Sequence, residues 1–562
     1  DADERYQTVR DLLTDLKDAK RELEFQDKLE RTTPPHREEA KTQLMTAMTT
    51  DEPQPPTSSA EFITQEVKKH KLGLALGSII LLALVGFGYW FFFNRSSGDN
   101  APIDSIAVLP FQNKSSDADT EYLSDGLAES LIYRLSQLPN LKVSPTSSVF
   151  RYKGKETDAV KIGNELGVNA VMSGRMVQRG ENLTISVELV DVRNNKLLWG
   201  EQYERKMSEL LATQREIAAE ITNKLQLKLS GEGEKDLNKQ YTTNNEAYQL
   251  YLKGRYHFAK RTKDDILKGI EYFQQAIKLD PNFALAYVGV SESYAVMPGY
   301  SYLSPKEAFP QAKAMAQRAI AIDPTLAEAH AALATSIAIY EWDWAKAERE
   351  FKRAIELSPI VPEIHFRYGT DYLQQIGQSD EAVRELKRAL EIEPLSIPAG
   401  ANLAGVYMNA RQNDLALEQA KKTYNLEPNH PAGRFWLGIV YIANGMNAEA
   451  IALGEKELQN NPTNQDALYF TGYAYAKSGR RHEAEEVIKK FKDISKTQYV
   501  VSRDVAAIYA ALGDKDKAFA ELEKSFEERD WNLPLLKVDP SMDPLRDDPR
   551  FKEMLKRLNL PE

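Results

Sequence analysis

Two short polar clusters carry the residue types that acid/base chemistry uses, Ser124-Asp125 and Glu341-x-Asp343. Both stand at a predicted helix start or repeat loop, where such residues are usually helix caps or solvated charges. The seven histidines form no H-E-x-x-H zinc motif, and no G-x-x-x-x-G-K-[ST] phosphate loop occurs. The sequence therefore predicts no catalytic residue, no metal site and no cofactor in this chain.

The overall composition sets the size class and the broad type of partner. The chain has 562 residues, which predicts three or four globular units. It has no cysteine, which excludes disulfides, thiolate metal sites and thiol nucleophiles. The net charge of -11 argues against nucleic acid as the main partner, because phosphate binding needs a basic face.

The first 93 residues predict a helix, a linker and a membrane span. Residues 1–48 are charged and have leucines at roughly helical spacing. Residues 49–71 read as a linker whose first part, TTDEPQPPTSSA, is rich in Pro, Ser and Thr. Residues 72–93 are uncharged and mostly apolar, and this length spans a bilayer core. We therefore expect one transmembrane helix with the lipid bilayer around it; a buried core helix is the alternative.

The charges that flank this apolar segment predict its orientation. Three lysines precede it within residues 68–71, whereas Arg95 alone follows closely. By the positive-inside rule the N-terminal part is cytoplasmic and the residues after 95 are extracytoplasmic, in a bacterial inner membrane. Gly73 and Gly77 form a small-x-x-x-small pair on which two such helices could pack as a homodimer. The alternative is that these glycines are incidental.

Residues 103–205 alternate between strand and helix patterns, which predicts a small α/β domain. Gly180-Glu181 separates two strand patterns and predicts a hairpin turn. Thr157 and Gly167 predict the start and the stop of a helix. A connecting helix is expected within residues 206–243. The predicted strands are 104–111, 141–149, 169–178, 182–192 and 197–204, and the predicted helices are 120–138, 157–167 and 208–229.

Residues 244–530 are purely helical in pattern, with a period of about 34 residues. A proline ends each unit at Pro281, Pro324, Pro359, Pro394, Pro428 and Pro462. Small residues and aromatics recur between these prolines, as in Gly369, Tyr372 and Ala382, and again at Gly438, Tyr441 and Ala450. We expect about eight helical hairpins stacked into an all-α superhelix, with residues 531–562 as a C-terminal cap.

Such a stack has a concave groove lined by the first helix of each hairpin. Side chains seven and eleven residues after each proline are predicted to face it, and between residues 366 and 473 they are mostly apolar or aromatic. This composition predicts a bound protein or peptide partner. The alternative is packing on the next hairpin or on the chain's own α/β domain. The candidate binding residues are Phe366, Thr370, Phe435, Ile439, Tyr469 and Tyr473; the same spacing also gives Ala331, Thr335, Ala401 and Gly405.

Two parts of the chain resemble known domain families. The 34-residue units resemble tetratricopeptide (TPR) repeats over about half of the chain. The stretch SIAVLPFQNKSSDADTEYLSDGLAESLIYRLSQLPNLKV, with FRYKGK, IGNELGV and LLWGEQYER after it, is similar to the TolB N-terminal-like domain over residues 103–205. This second resemblance implies a sensor or scaffold domain, of a kind found upstream of TPR arrays in bacterial signalling proteins.

The N-terminal segment DADERYQTVRDLLTDLKDAKREL resembles the last helix of a bacterial serine/threonine protein kinase domain. Arg5 matches the arginine that pairs with the A-P-E glutamate of that family, and this glutamate is absent here. H-R-D and D-F-G are also absent, so the chain itself is predicted not to be an enzyme. The resemblance implies the sensory region of a transmembrane kinase in signal transduction. A plain juxtamembrane helix, in a free-standing membrane-anchored scaffold of an envelope complex, is the alternative.

Overall fold

The computed structural model describes residues 103–115, 120–138, 141–155, 158–227 and 239–560. All of them belong to one compact unit, Ser96–Glu562, made of an α/β part followed by stacked helices. The predicted kinase-like helix, linker and membrane span, with Gly73 and Gly77, lie outside the described residues. Within the described residues, no helix combines the length and the apolar character that a membrane crossing requires.

The α/β part is built on a mixed sheet in the order β3-β1-β4-β5-β6, with β2 paired to β4. β1 runs parallel to β3 and β4, whereas β4, β5 and β6 form an antiparallel meander. Gly180 and Glu181 connect β4 to β5, which confirms the predicted hairpin. The strands are β1 Ser105–Val108, β2 Gln112–Asn113, β3 Lys142–Val143, β4 Ala170–Arg179, β5 Asn182–Asp191 and β6 Lys196–Lys206.

Helices cover this sheet, and the first of them follows the leucine pattern. Helix α1, Glu121–Ser136, buries the four leucines that recur every four residues, Leu123, Leu127, Leu131 and Leu135. Helix α3, Ala159–Leu166, ends at Gly167 in the left-handed conformation, as predicted, with φ at 65°. Helix α4, Leu210–Lys224, connects the sheet to the repeats.

Two sequence predictions in this part are wrong in detail. Residues 141–149 do not form one strand, because Pro145 cannot donate to the sheet and instead begins a short helix, α2, Thr146–Phe150. The N-cap of α3 is Asp158, whose carboxylate accepts the Val160 amide at 3.1 Å. Thr157, the predicted cap, lies outside the described residues. Asp158, the residue after Thr157, has a side-chain oxygen that caps the helix as a threonine hydroxyl would.

Sixteen helices between residues 245 and 528 pair into eight hairpins. In hairpins 3 and 4 the first helix continues as a π-helix, Ile337–Glu341 and Tyr368–Leu373. Hairpins 1 to 4 are Asn245–Ala259/Lys263–Leu279, Ala284–Val296/Pro305–Ile322, Ala327–Ser336/Trp344–Leu357 and Pro362–Arg367/Ser379–Ile392. Hairpins 5 to 8 are Ile397–Asn409/Asn413–Leu426, Pro431–Ala443/Asn447–Asn460, Gln465–Lys477/Arg481–Ile494 and Ser502–Ala511/Lys515–Glu528.

The chain continues past hairpin 8 as two 3₁₀ turns, Leu533–Lys537 and Pro540–Leu545, and a last helix, Pro549–Arg557. We call residues 530–560 the C-terminal segment. The buried side chains of this segment, Leu533, Leu536, Met542, Leu545, Phe551, Met554 and Leu558, join the same hydrophobic core as those of hairpins 3–8. The segment is therefore an integral part of the repeat core.

Small residues let the first two hairpins pack closely around one ring. The Phe273 ring is fully buried between Gly254 of hairpin 1 and Gly289 of hairpin 2. A Cβ placed on Gly254 would lie 2.5 Å from this ring, and one on Gly289 would lie 2.7 Å from it. A methyl group therefore does not fit at either position without moving the ring.

Replacing Gly254 by alanine should lower the free energy of unfolding by about 1–3 kcal/mol, because the extra methyl overpacks a closed core. The measurement is urea unfolding followed by circular dichroism. Gly299→Ala is the matched control, since a Cβ there meets no atom within 4 Å. Equal midpoints for the two variants would contradict the close packing of hairpins 1 and 2.

Candidate functional site

The polar clusters singled out in the sequence have structural roles. Ser124 is fully buried and its hydroxyl donates to the Glu121 carbonyl at 2.8 Å. Asp125 pairs with Lys153 at 2.5 Å. Asp343 caps the second helix of hairpin 3 by accepting the Lys346 amide at 3.1 Å. Glu341 pairs with Lys313. The prediction of a helix cap is confirmed at Asp343, whereas the prediction of a solvated charge is wrong for Asp125, which is buried and paired.

A cavity of about 780 Å³ lies between the α/β part and hairpins 1–4. Its α/β wall comes from α1, from residues 143–153 and from α4. Its other wall comes from the first helices of hairpins 1–4 and from the end of the second helix of hairpin 4. This volume falls in the range of about 300–1,000 Å³ that is typical of ligand sites. We call this space the interdomain cavity.

Direct contacts hold the two walls of the interdomain cavity together. A Cβ on Gly126 of α1 would lie 2.9 Å from Leu252 of hairpin 1, so the two helices touch. The Tyr248 hydroxyl of hairpin 1 donates to the Gln214 side chain of α4 at 2.8 Å, and both contact Ser130 of α1. The sheet domain and the first hairpin therefore form a continuous frame around the cavity.

Most of the charged residues that line the cavity form ion pairs, and one of these pairs joins its two walls. Arg255 donates to Glu129 of α1, with an Nη2–Oε1 distance of 2.5 Å, and to Glu292 of hairpin 2 at 3.2 Å. Arg367 donates to Glu363 at 2.8 Å and also lies 3.5 Å from Asp371. Such pairs reduce the cost of burying their charges.

Glu393 differs from the paired acids of the cavity. Its side chain lines the cavity, the residue is only 9% exposed, and no ion pair to it occurs among the described residues. Burial raises the pKa of the Glu393 carboxyl to about 8, and the charge of Glu363 adds to the rise. The cavity therefore contains a buried carboxyl that has no cation of its own.

Arg261 lines the same cavity, and its guanidinium is not fully hydrogen-bonded. Its guanidinium lies over the Phe258 ring at 3.8 Å, and its Nη1 atom has no hydrogen-bond partner. Burial lowers the pKa of Arg261. The cavity thus has a cation without an ion pair, Arg261, and two acids without one among the described residues, Glu393 and Glu328.

The chain itself occupies part of the groove of the later hairpins. The Trp344 indole of hairpin 3 donates to the Leu558 carbonyl at 3.0 Å. Arg411 of hairpin 5 pairs with Asp543 at 2.7 Å. These contacts join residues more than 130 positions apart. They place the C-terminal segment beside the turns of hairpins 3 and 5, and a hydrogen bond between Ser541 and Tyr469 brings it to the first helix of hairpin 7. A partner in this region would first have to displace that segment.

Two of the six candidate groove residues are deeply buried tyrosines, and the other four differ in their exposure. Tyr469 and Tyr473 are 2% and 9% exposed, and Tyr469 accepts a bond from Arg503 at 3.3 Å. Ile439 is buried; Thr370 is buried and donates to the Phe366 carbonyl at 3.0 Å; Phe366 and Phe435 are partly exposed. The tyrosines thus pack within the chain, the alternative that the sequence left open. Partner contact at the six residues stays a prediction.

The interdomain cavity was missed by the sequence analysis, although part of its lining was within reach. Ala331 and Thr335, which the proline spacing placed on the groove face, do line the cavity. The same spacing counted from Pro281 gives Val288 and Glu292, which also line it. The spacing does not indicate Glu393 or Arg261, because each lies at a helix end, outside the positions that the repeat pattern assigns to the groove.

Two family models match parts of the chain. Residues 102–220 match the second domain of HilA/YgeH-like transcriptional regulators, and residues 402–465 match the tetratricopeptide repeat. The second match and the eight hairpins establish that the chain carries TPR repeats, a scaffold for protein–protein interaction. The first match covers the region that resembles the TolB N-terminal-like domain, and that resemblance stays a prediction.

Similar proteins differ in their named activities. A Rhizobium meliloti (strain 1021) protein named "Putative adenylate cyclase 3" is 32% identical over 187 residues, which is 33% of this chain and 32% of that protein. The transcriptional regulator HilA of Salmonella typhimurium is 25% identical over 225 residues, 39% of this chain and 38% of that protein. The chain therefore spans about a third of the length of the curated relatives it matches.

Among solved structures, a tetratricopeptide repeat protein from Parabacteroides merdae is 16% identical to this chain. The likeness covers 49% of this chain and 100% of that one, with a TM-score of 0.34.

Proposed function

We propose that this chain is the protein-binding sensory region of a bacterial signalling protein, and that a peptide segment of its partner docks in the interdomain cavity. The observation that carries the proposal is the cavity itself. It is framed by two different domains, has a mostly apolar surface with twelve charged residues in its lining, and stays open, whereas the C-terminal segment occupies part of the later groove. A ligand there touches both domains and so biases their packing.

The proposal also covers the membrane anchor and the catalytic domain through which the protein signals. The apolar segment 72–93 anchors the chain, with its N-terminus cytoplasmic and its repeats outside, and Gly73 and Gly77 pack in a homodimer. The output is a serine/threonine protein kinase domain before Asp1, as the resemblance of residues 1–23 implies. The relative named as an adenylate cyclase favours a second candidate output, a nucleotide cyclase. The third candidate is a free-standing scaffold without a catalytic domain.

Reading the gene upstream of the codon for Asp1 separates these outputs. A glycine-rich loop with H-R-D and D-F-G supports the kinase, whereas a cyclase domain supports the second candidate. A start codon close by would leave only the scaffold. For the topology, a reporter that works only in the cytoplasm, fused after Glu562, should be silent in cells; an active reporter would contradict the orientation.

A substitution that fills the cavity should abolish peptide capture. Ala332 lines the cavity from hairpin 3 and is only partly buried, so Ala332→Trp places an indole in the open space. We expect a random heptapeptide library to yield binders of the full chain in detergent, and these binders to lose at least about tenfold in affinity for the variant. Fluorescence anisotropy with labelled peptides measures this.

The control is Leu267→Trp on the outer face of hairpin 1, where the leucine is 44% exposed. It adds an indole without touching the cavity, so it should bind the selected peptides as the wild type does. Circular dichroism checks that both variants fold. Peptides that bind all three proteins equally would place the site elsewhere and contradict the proposal.

A further inference from the structure

We infer that the interdomain cavity selects a peptide with a basic side chain, Lys or Arg, whose cation lies against the Glu393 carboxylate. The inference rests on the proposed function, because it names the chemistry of the peptide that the same cavity takes. Three features of the Glu393 position lead to it.

The first feature is the missing cation of Glu393. Of the other acids that line the cavity, Asp125 pairs with Lys153, Glu129 and Glu292 share Arg255, and Glu363 holds Arg367. Glu328 also has no ion pair among the described residues, but it is hydrogen-bonded to Tyr133 and more exposed than Glu393. Arg261 and Arg367 are the lining cations on this side, and neither forms an ion pair with Glu393. A carboxyl that is nine-tenths buried without a cation is costly, and a cationic ligand removes that cost.

The second feature is the hydrogen bonding of Glu393. Before other unit-ending prolines, Asp280, Asp323 and Asn461 each accept the amide two residues further on, at 3.0, 3.0 and 3.3 Å. The longer Glu393 side chain instead accepts a hydrogen bond from the Ser396 side chain, and the residue lines the cavity. The Ser396 hydroxyl is a neutral donor, so the carboxyl still lacks a cation.

The third feature is the helix end beneath Glu393. The residue is the C-cap of the helix Ser379–Ile392, and its amide donates to the Ala389 carbonyl at 2.7 Å. The C-terminus of a helix carries partial negative charge, which favours a cation and disfavours a carboxylate. Both the carboxyl and the helix end therefore attract the same kind of ligand.

The walls around Glu393 suit the stem of a basic residue. Ile360, Val361 and Ile392 line the cavity beside it, and the Glu363 side chain, 56% exposed, stands at the rim. Lys and Arg side chains lay their methylenes on apolar surface while the charged head reaches a polar group. A small free amine would leave most of the 780 Å³ unfilled, which favours a peptide as the source of the cation.

The test uses the heptapeptides selected on the full chain, with each position replaced in turn by Lys, Arg, norleucine and Glu. Fluorescence anisotropy is measured in detergent at pH 8.5, where the carboxyl is ionised. We expect one position at which norleucine or Glu binds at least about tenfold more weakly than Lys or Arg. Glu393→Gln should abolish that preference, whereas Glu391→Gln, an exposed glutamate on the same helix, should keep it.

Several outcomes would overturn the inference. No basic position, or the same preference in Glu393→Gln, means that the peptide binds the cavity without this contact, and the proposed function stands alone. Displacement of the peptide by an equal concentration of free lysine amide assigns the site to a small amine instead. An empty selection, or peptides that Ala332→Trp does not weaken, overturns the proposed function together with this inference.

Discussion

Replacing Arg503 by leucine should lower the free energy of unfolding by about 3–5 kcal/mol, the cost of leaving buried charges without their partner. Arg503 is 3% exposed and holds the C-terminal segment against hairpins 7 and 8. Its guanidinium pairs with Asp504 at 3.1 Å and with Asp539, and it donates to the Tyr469 hydroxyl at 3.3 Å. Both aspartates are buried, so leucine at this position leaves two desolvated carboxyls.

Urea unfolding at pH 7 measures this loss, and a rescue variant isolates its cause. Asp539→Asn added to Arg503→Leu removes one of the two unpaired charges and should recover part of the stability. Arg550→Leu is the control, because Arg550 pairs on the surface with Asp548 and Asp516 and should change the midpoint little. If Arg503→Leu unfolds where Arg550→Leu does, the C-terminal segment is not held by this cluster.

The repeat region follows from the sequence because its signal is local. A proline recurs at each unit end, and the small residues recur where two helices touch. Gly438 shows why: a Cβ on it would lie 2.8 Å from the Phe470 ring of the next hairpin. Each repeat obeys the same steric requirement, so the number of hairpins can be counted before any contact is known.

The occupation of the groove could not be predicted in the same way, because it depends on contacts between distant residues. The bond from Trp344 to Leu558 joins residues 214 positions apart, and neither residue has a recurring equivalent. The spacing rule correctly places Tyr469 and Tyr473 on the inner face, but it does not reveal that residues 541–543 of the same chain approach that face. Periodicity predicts which way a side chain points and not what it meets.

The interdomain cavity lies at a junction between two domains, where no single pattern extends. Its best-defined feature, Glu393, is part of the I-E-P sequence that marks the end of a repeat. In a sequence, that glutamate is equivalent to the aspartates of L-D-P and I-D-P, which close their turns. Only the structure shows that this member of the set faces a cavity and has no ion pair among the described residues.

The same carboxyl leads to the second large expected effect, on stability as a function of pH. Glu393→Gln should be more stable than the wild type by about 3–5 kcal/mol at pH 8.5, and close to it at pH 4. The pKa of Glu393 is about 8 in the folded chain because burial and the charge of Glu363 disfavour its ionised form. In the unfolded chain it titrates near about 4.3.

The sign follows from these two pKa values. A carboxyl whose folded pKa is raised contributes stability below its unfolded pKa and loses it as pH rises through its folded pKa. Burial also raises the pKa values of Asp466 and Asp530 to about 7, so these two groups lower the stability as pH rises. They do so equally in the wild type and in Glu393→Gln, and their effect cancels in the comparison.

Glu391→Gln, on the exposed face of the same helix, is the control and should have the same stability as the wild type at each pH. Urea unfolding between pH 4 and 8.5 measures the difference. If the wild-type and Glu393→Gln curves run parallel over that range, Glu393 is already solvated or paired, and the cavity lacks the unmatched acid on which its selectivity for a basic peptide depends.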